Sequence, residues 1–174
     1  MRNFTANGGT VSIKLSATGL TNCPAPFVVE DVEWISVSGT PTWKVNRGMV
    51  KIAVQKNPGF QSRTGVFSIG GETLSIEQAG AICQLTVLKP SSGRYPNTGG
   101  SGSFDITVSP RDCGWNVAST SAWIHLDTTT GTGNGSVEFH LDANGTGRNR
   151  TGKIDVSLAQ SATKKKTFTI NQNK

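Results

Sequence analysis

The chain repeats itself, and this constrains its fold more than any other feature of the 174 residues. Gly8-Gly9-Thr10-Val11-Ser12-Ile13-Lys14-Leu15-Ser16 corresponds to the stretch Gly100-Ser101-Gly102-Ser103-Phe104-Asp105-Ile106-Thr107-Val108-Ser109. In each case a glycine-containing turn precedes strict alternation of apolar and polar residues, the pattern of a half-buried strand. Cys23 or Cys113 follows, then Trp34-Ile35 or Trp123-Ile124 at nearly the same distance. The segment 48–57, from Gly48 to Asn57, matches 135–144, from Gly135 to Asn144, without a gap. Arg63-Thr64-Gly65 recurs as Arg150-Thr151-Gly152, and each copy closes on a strand ending in glutamine, Gln78 or Gln172.

Each copy reads as short alternating strands separated by turns rich in Gly, Asn, Pro and Thr, and nowhere do Ala, Leu and Glu gather with helical periodicity. The fold class is therefore all-β: two consecutive immunoglobulin-like β-sandwich domains, each long enough to bury a modest core. Period-2 patterning assigns the inward set. In the first copy it is Val11, Ile13, Leu15, Phe27, Val29, Trp34, Val50, Ile52, Val54, Phe67, Ile69, Leu74 and Ile76. In the second it is Val87, Phe104, Ile106, Val108, Trp115, Val117, Trp123, Val137, Phe139, Leu141, Ile154, Val156, Phe168 and Ile170. The boundary falls at Ala79-Gly80-Ala81, giving domains 1–80 and 81–174, and so short a link predicts a semi-rigid rod.

The motifs of the second copy resemble the BACON module, an immunoglobulin-like sandwich of bacterial surface and secreted proteins and of phages. The residues carrying the resemblance are the segment from Cys83 to Pro90, the glycine-rich turn and strand from Gly99 to Ser109, and Cys113-Gly114-Trp115. To these are added Trp123-Ile124, Gly131-Thr132-Gly133-Asn134-Gly135, Asn144, Arg150-Thr151-Gly152 and Gln172. The first copy departs from this pattern. It lacks the first strand, Cys23-Pro24-Ala25-Pro26-Phe27 stands where the Cys-x-Trp motif belongs, and Ser38-Gly39-Thr40-Pro41-Thr42-Trp43 replaces the glycine-rich loop. A sandwich missing an edge strand exposes unpaired backbone, which upstream residues, the segment 2–6 or a neighbouring chain would have to cover. The resemblance also implies a disulfide between Cys83 and Cys113 that closes a loop of about 30 residues, contributes about 3 kcal/mol, and leaves Cys23 as the orphan. Three reduced thiols in a cytosolic product is the alternative.

Catalytic chemistry needs convergent titratable groups, and the chain is poor in them. His125 and His140 lie on expected strands without the spacing of a metal pair, and His140, between Phe139 and Leu141, should face solvent. Asp105, Asp127, Asp142 and Asp155 are spread singly. The 131–135 loop has glycines but neither the Lys-Ser/Thr of a phosphate loop nor its strand-to-helix context, so it reads as a turn. No catalytic residue, metal ligand or cofactor is assigned. The net charge of +6 admits acidic partners, but the positive residues are scattered; the one run, Lys164-Lys165-Lys166, reads as a solvated hairpin tip, and no basic stripe interleaved with aromatics argues for nucleic acid. No stretch has the roughly 20 apolar residues of a membrane span.

Binding remains. Trp34, Trp115 and Trp123 hold repeat-matched core positions, whereas Trp43 and Tyr95 stand outside that pattern, Trp43 beside Pro41 and Lys44, Tyr95 beside Arg94 and Pro96. Trp43, Tyr95 and Arg94 are the candidate ligand contacts, the alternative being that the two rings seal the ends of the sandwiches. The expected function is a non-enzymatic structural, display or adhesion module on a virion or cell surface, with neighbouring chains or surface glycans as partners. The Met start and the lack of an export signal favour a phage virion surface protein such as a capsid decoration or fibre. The alternative is a carbohydrate-binding accessory region of a larger secreted enzyme or lipoprotein.

Overall fold

The computed structural model describes residues 1–17, 28–30, 32–88 and 94–174, with backbone alone at residues 29 and 30. Cys23, Phe27, the side chain of Val29 and Pro90 lie outside the described residues. The described chain is built of strands and turns, and it divides into two compact units, Met1–Ala81 and Ile82–Lys174.

The first unit contains β1 (Arg2–Phe4), β2 (Gly9–Ser16), β3 (Val28–Glu30), β4 (Ile35–Val37), β5 (Thr42–Lys44), β6 (Arg47–Val54), β7 (Arg63–Ile69) and β8 (Glu72–Gln78). One sheet runs β1-β8-β7-β3; the other runs β2-β6-β4, with β5 also pairing β6. The second unit contains β9 (Gln84–Leu88), β10 (Arg94–Tyr95), β11 (Gly100–Ser109), β12 (Gly114–Ser119), β13 (Ile124–Leu126), β14 (Thr130–Thr132), β15 (Gly135–Leu141), β16 (Arg150–Leu158) and β17 (Ser161–Gln172). Its sheets run β10-β17-β16-β12-β14 and β13-β15-β11-β9.

The alternation seen in the sequence is what buries one face of each sheet. Along β11, Phe104, Ile106 and Val108 are buried and Asp105 and Thr107 exposed; along β6, Val50, Ile52 and Val54 are buried and Lys51 exposed. Most expected core residues are placed inward. Trp34 and Trp123 are half-buried, as are Val11, Ile13, Leu15, Leu74 and Val87; Trp34 packs against the core at its margin, and the isoleucine after each tryptophan, Ile35 or Ile124, is buried. Each indole occupies a slot over the glycine of the Arg-Thr-Gly motif. A Cβ added at Gly65 would stand 2.7 Å from the Trp34 ring, and one at Gly152 2.8 Å from that of Trp123.

Strand register fixes the residue equivalence between the repeats. Gly9 pairs with Val54 and Leu15 with Gly48; likewise Gly100 pairs with Leu141 and Ile106 with Gly135. The preceding glycines, Gly8 and Gly99, have positive φ and lie so close to the carbonyls of Val54 and Leu141 that no Cβ would fit. Further upstream, β1 pairs parallel with β8 as β10 pairs parallel with β17, which puts Phe4 in the place of Tyr95. The segment 2–4 thus joins the β8 sheet and does not cover the edge of β2. Among the described residues, the first unit has nothing in the place that β9 takes beside β11. The lysine run is exposed as expected but lies beyond the hairpin tip: Lys165 and Lys166 pair with Ser157 and Val156, Lys164 falls in the irregularity between Ser157 and Leu158, and Lys165 pairs with Asp155 at 3.0 Å.

A disulfide joins Cys83, just before β9, to Cys113, just before β12. Cys113 is fully buried. Cross-linking residues 30 apart in sequence shrinks the unfolded ensemble, which sets the scale of its contribution at about 3 kcal/mol. Replacing both cysteines by serine is expected to lower the stability of the second unit by about that amount while leaving the unfolding of the first unit unchanged. Chemical denaturation followed by hydrogen exchange, which resolves the two units, checks this.

Candidate functional site

The repeat-matched polar residues come together at one end of each sandwich. In the second unit the Arg150 guanidinium lies 4.3 Å from the centre of the Trp123 ring. Its Nε donates to Gln172 Oε1 at 2.7 Å, and one terminal nitrogen donates to the carbonyls of Asp142 and Ala143. Gln172, 1% exposed, donates through Nε2 to the carbonyls of Pro96 and Asp142. The first unit repeats the arrangement. Arg63 stacks 4.2 Å from the Trp34 ring, donates to Gln78 Oε1 at 2.9 Å and reaches the carbonyls of Gln55 and Lys56. Gln78, fully buried, donates to the carbonyls of Thr5, Ala6 and Gln55.

A buried asparagine completes each end. Asn144 Nδ2 donates to the carbonyls of Arg148 and Asn173 while its Oδ1 accepts from the Thr146 N–H. Asn57 likewise bridges the carbonyls of Gln61 and Ala79 and accepts from the Gly59 N–H. These groups tie loops to the closing strand. Most of these hydrogen bonds are to backbone groups and the others join arginine to glutamine, so the motifs that recur most faithfully are structural.

Tyr95, expected as an exposed contact, is instead a core residue. Only 6% exposed, it meets Phe139 edge to face at 5.8 Å, and its hydroxyl end fills the space beside Gly102. Burial raises its pKa. Arg94 next to it is exposed and donates to Asn173 Oδ1 at 3.2 Å. The repeat itself carried a missed signal: Phe4-Thr5-Ala6-Asn7 lies over Tyr95-Pro96-Asn97-Thr98 without a gap, placing both rings in the core pattern.

Trp43 is different. It sits on β5, half-buried, its ring against Gly48, and Thr42 and Lys44 beside it are exposed. The β5–β6 hairpin turns through Val45 and Asn46, both with positive φ. An open cleft of about 570 Å³ lies here, lined by Trp43, Leu15 and Met49 together with the cationic Lys14, Lys44 and Arg47. An aromatic ring rimmed by three cations can stack on an apolar ring face and attract a negatively charged substituent. In the second unit the corresponding glycine, Gly135, lies under Trp115, whose indole N–H donates to the Gly133 carbonyl at 2.9 Å. Trp43 therefore meets from β5 the same glycine position that Trp115 covers from β12, and it remains more open to solvent.

The two histidines are cross-strand partners on β13 and β15, a placement that their sequence spacing of 15 hid. His125 Nε2 lies 3.0 Å from Asp142 Oδ1 and His140 Nε2 3.1 Å from Asp127 Oδ2, all four side chains well exposed. Each pair is separate and water-screened, a geometry for surface hydrogen bonds.

The family model BACON, described as "Putative binding domain, N-terminal", matches residues 26–79 and 114–173, one segment in each repeat. No curated protein matches the chain. Among solved structures the chain is similar to the Yersinia pseudotuberculosis adhesin InvE, with TM-score 0.51, 13% identity, 99% of this chain and 56% of that one covered. It is also similar to a Bacteroides ovatus GH5 xyloglucanase in complex with a XXXG heptasaccharide (TM-score 0.44, 20% identity, 52% of this chain and 19% of that one). A third likeness is to domains 4 and 5 of the S-layer protein SbsC (TM-score 0.36, 12% identity, 70% and 67% covered). The chain thus spans a fifth to just over half of the first two proteins it resembles.

Arg150→Ala leaves Gln172 Oε1 and two carbonyls without their charged donor and is expected to destabilise the second unit by about 3 kcal/mol. Arg150→Lys should recover little of this, because a lysine cannot both stack flat on Trp123 and fork to three acceptors. Urea denaturation of the three proteins measures the difference.

Proposed function

The chain belongs to the BACON family of binding domains, and from that premise we propose that it is a non-enzymatic display or adhesion module, worn on the outside of a virion or a cell. The observation that supports this best is how the polar residues are used. The Arg, Gln and Asn of each repeat hold loops to the closing strand, while Lys14, Lys44 and Arg47 around the half-buried Trp43 are exposed. The cleft at the β5–β6 hairpin is the contact surface, and its ligand is a glycan bearing negative charge. Trp43 supplies the stacking face, and Lys14, Lys44 and Arg47 supply the attraction.

The disulfide supports the external setting, since such bonds persist in oxidising environments. The two sandwiches act as independently folded domains with the boundary one residue beyond the expected 80/81 division, and the first carries this surface. A capsid decoration or fibre protein of a phage is the specific setting we propose. Mass spectrometry of purified virions and of cell-envelope fractions tests it, and recovery of the protein only inside cells would overturn it.

A glycan array followed by titration of the best anionic hit tests the surface. The double variant Lys44→Glu with Arg47→Glu, both exposed, is expected to weaken binding at least about tenfold and to flatten its salt dependence with no change in melting temperature. Trp43→Ala should also abolish binding but lower the stability of the first unit, since the ring covers Gly48. Absence of binding in the parent protein, or unchanged binding in the charge variant, refutes this surface.

A further inference from the structure

We propose that the outer edge of β2 is a strand-acceptor site, and that its occupant is an extended polypeptide segment with apolar residues at alternate positions, adding antiparallel opposite residues 14–17. Lys14 and Leu15 also line the Trp43 cleft, so the two sites adjoin, and protection of the β2 backbone distinguishes strand addition from ligand binding at the ring.

The second unit displays the occupied form of this site. There β9 lies along β11, pairing Val87 with Ile106 and Leu85 with Val108. Register through the central strands makes Leu15 the counterpart of Ile106, and by the same offset Ala17 that of Val108. Under β9, Ile106 is 1% and Val108 3% exposed, and Phe104 beside them 2%. On β2, by contrast, Ile13 and Leu15 are only half-buried, as is Ala17 just beyond its end. Among the described residues no strand pairs with the side of β2 away from β6. Among the described residues, the same strand is therefore paired on both sides in one repeat and on one side in the other, and Leu15 and Ala17, which a β9-like strand would cover, are more exposed than Ile106 and Val108.

The chemistry of the occupant follows from the register. Two apolar side chains, in the places of Val87 and Leu85, would lie opposite Leu15 and Ala17 and complete the apolar face. Because Ala17 is smaller than Val108, the residue opposite it can be the larger. Lys14 replaces Asp105, whose partner is Leu88, so an acidic residue at that position of the occupant is favoured. Main-chain hydrogen bonds to the open edge supply affinity, and the alternating pockets supply register.

The test uses the full chain and a synthetic peptide of residues 82–89 carrying Cys83→Ser. At a peptide concentration about ten times its Kd, backbone amides of β2 are expected to exchange about tenfold more slowly, with β11 unchanged. A peptide that also carries Leu88→Glu should bind about threefold more tightly than one carrying Leu88→Lys, and Lys14→Glu in the protein should reverse that order. Absence of β2 protection, or protection insensitive to the charge exchange, overturns the proposal. Protection of β2 that grows with protein concentration and without peptide also overturns it, because the edge would then be taken by a second copy of the chain.

Discussion

One arginine in each repeat holds its sandwich end together. Arg63 and Arg150 lie flat on a tryptophan, donate to a buried glutamine and fork to two consecutive carbonyls. The glutamine in turn satisfies carbonyls on the segment leading into the next hairpin. A glutamine side chain at no more than 1% exposure is tolerable only if its polar atoms are paired, and among the described residues no buried side-chain nitrogen or oxygen lacks a partner. The glycine two residues after the arginine belongs to the same device, because any side chain there would collide with the tryptophan. Sequence spacing, ring packing and hydrogen bonding thus impose one joint requirement on four positions in each repeat.

A second requirement is aromatic cover over a glycine of the central strand. Trp115 meets it in the second unit from β12, clamped by its hydrogen bond to Gly133. The first unit has no tryptophan in the Cys-x-Trp position, and Trp43 covers Gly48 from the hairpin of β5 and β6. Cover from a hairpin end leaves the ring half-exposed among cations. A packing role and a surface role can then reside in one side chain, whereas Trp115, 4% exposed, has only the first.

Fold class and most of the core were legible in the sequence because period-2 alternation and an internal repeat are both local signals. Phe104, Ile106, Val137, Phe139, Ile52 and Phe67 were placed inward on pattern alone, and burial agrees. What escaped was set by partners distant in the chain. Tyr95 reads as a loop residue because β10 is two residues long and pairs with β17, over seventy positions away. Trp34 and Trp123 read correctly as structural, but nothing local reveals the arginine stacked on each ring. The pairing of His125 with His140 depends on the register between β13 and β15, which period-2 patterning leaves undefined. The cleft at Trp43 was half legible: the ring stood out, but Lys14 and Leu15 reach it only through the pairing of β2 with β6.

The two repeats also show what the outermost strand contributes to such a sandwich. In the second unit β9 is bound twice, by its ladder to β11 and by the disulfide that anchors Cys83 to Cys113. A short edge strand is the element most prone to fray, so a covalent tie beside it keeps apolar residues such as Ile106 and Val108 sealed. The first unit keeps the same central strands and the same polar end but leaves β2 as a boundary among the described residues. Lys14 on that edge is the kind of charge that discourages promiscuous edge-to-edge pairing. The arginine and glutamine network is thus formed in the first unit as fully as in the second, although among the described residues no counterpart of β9 accompanies it.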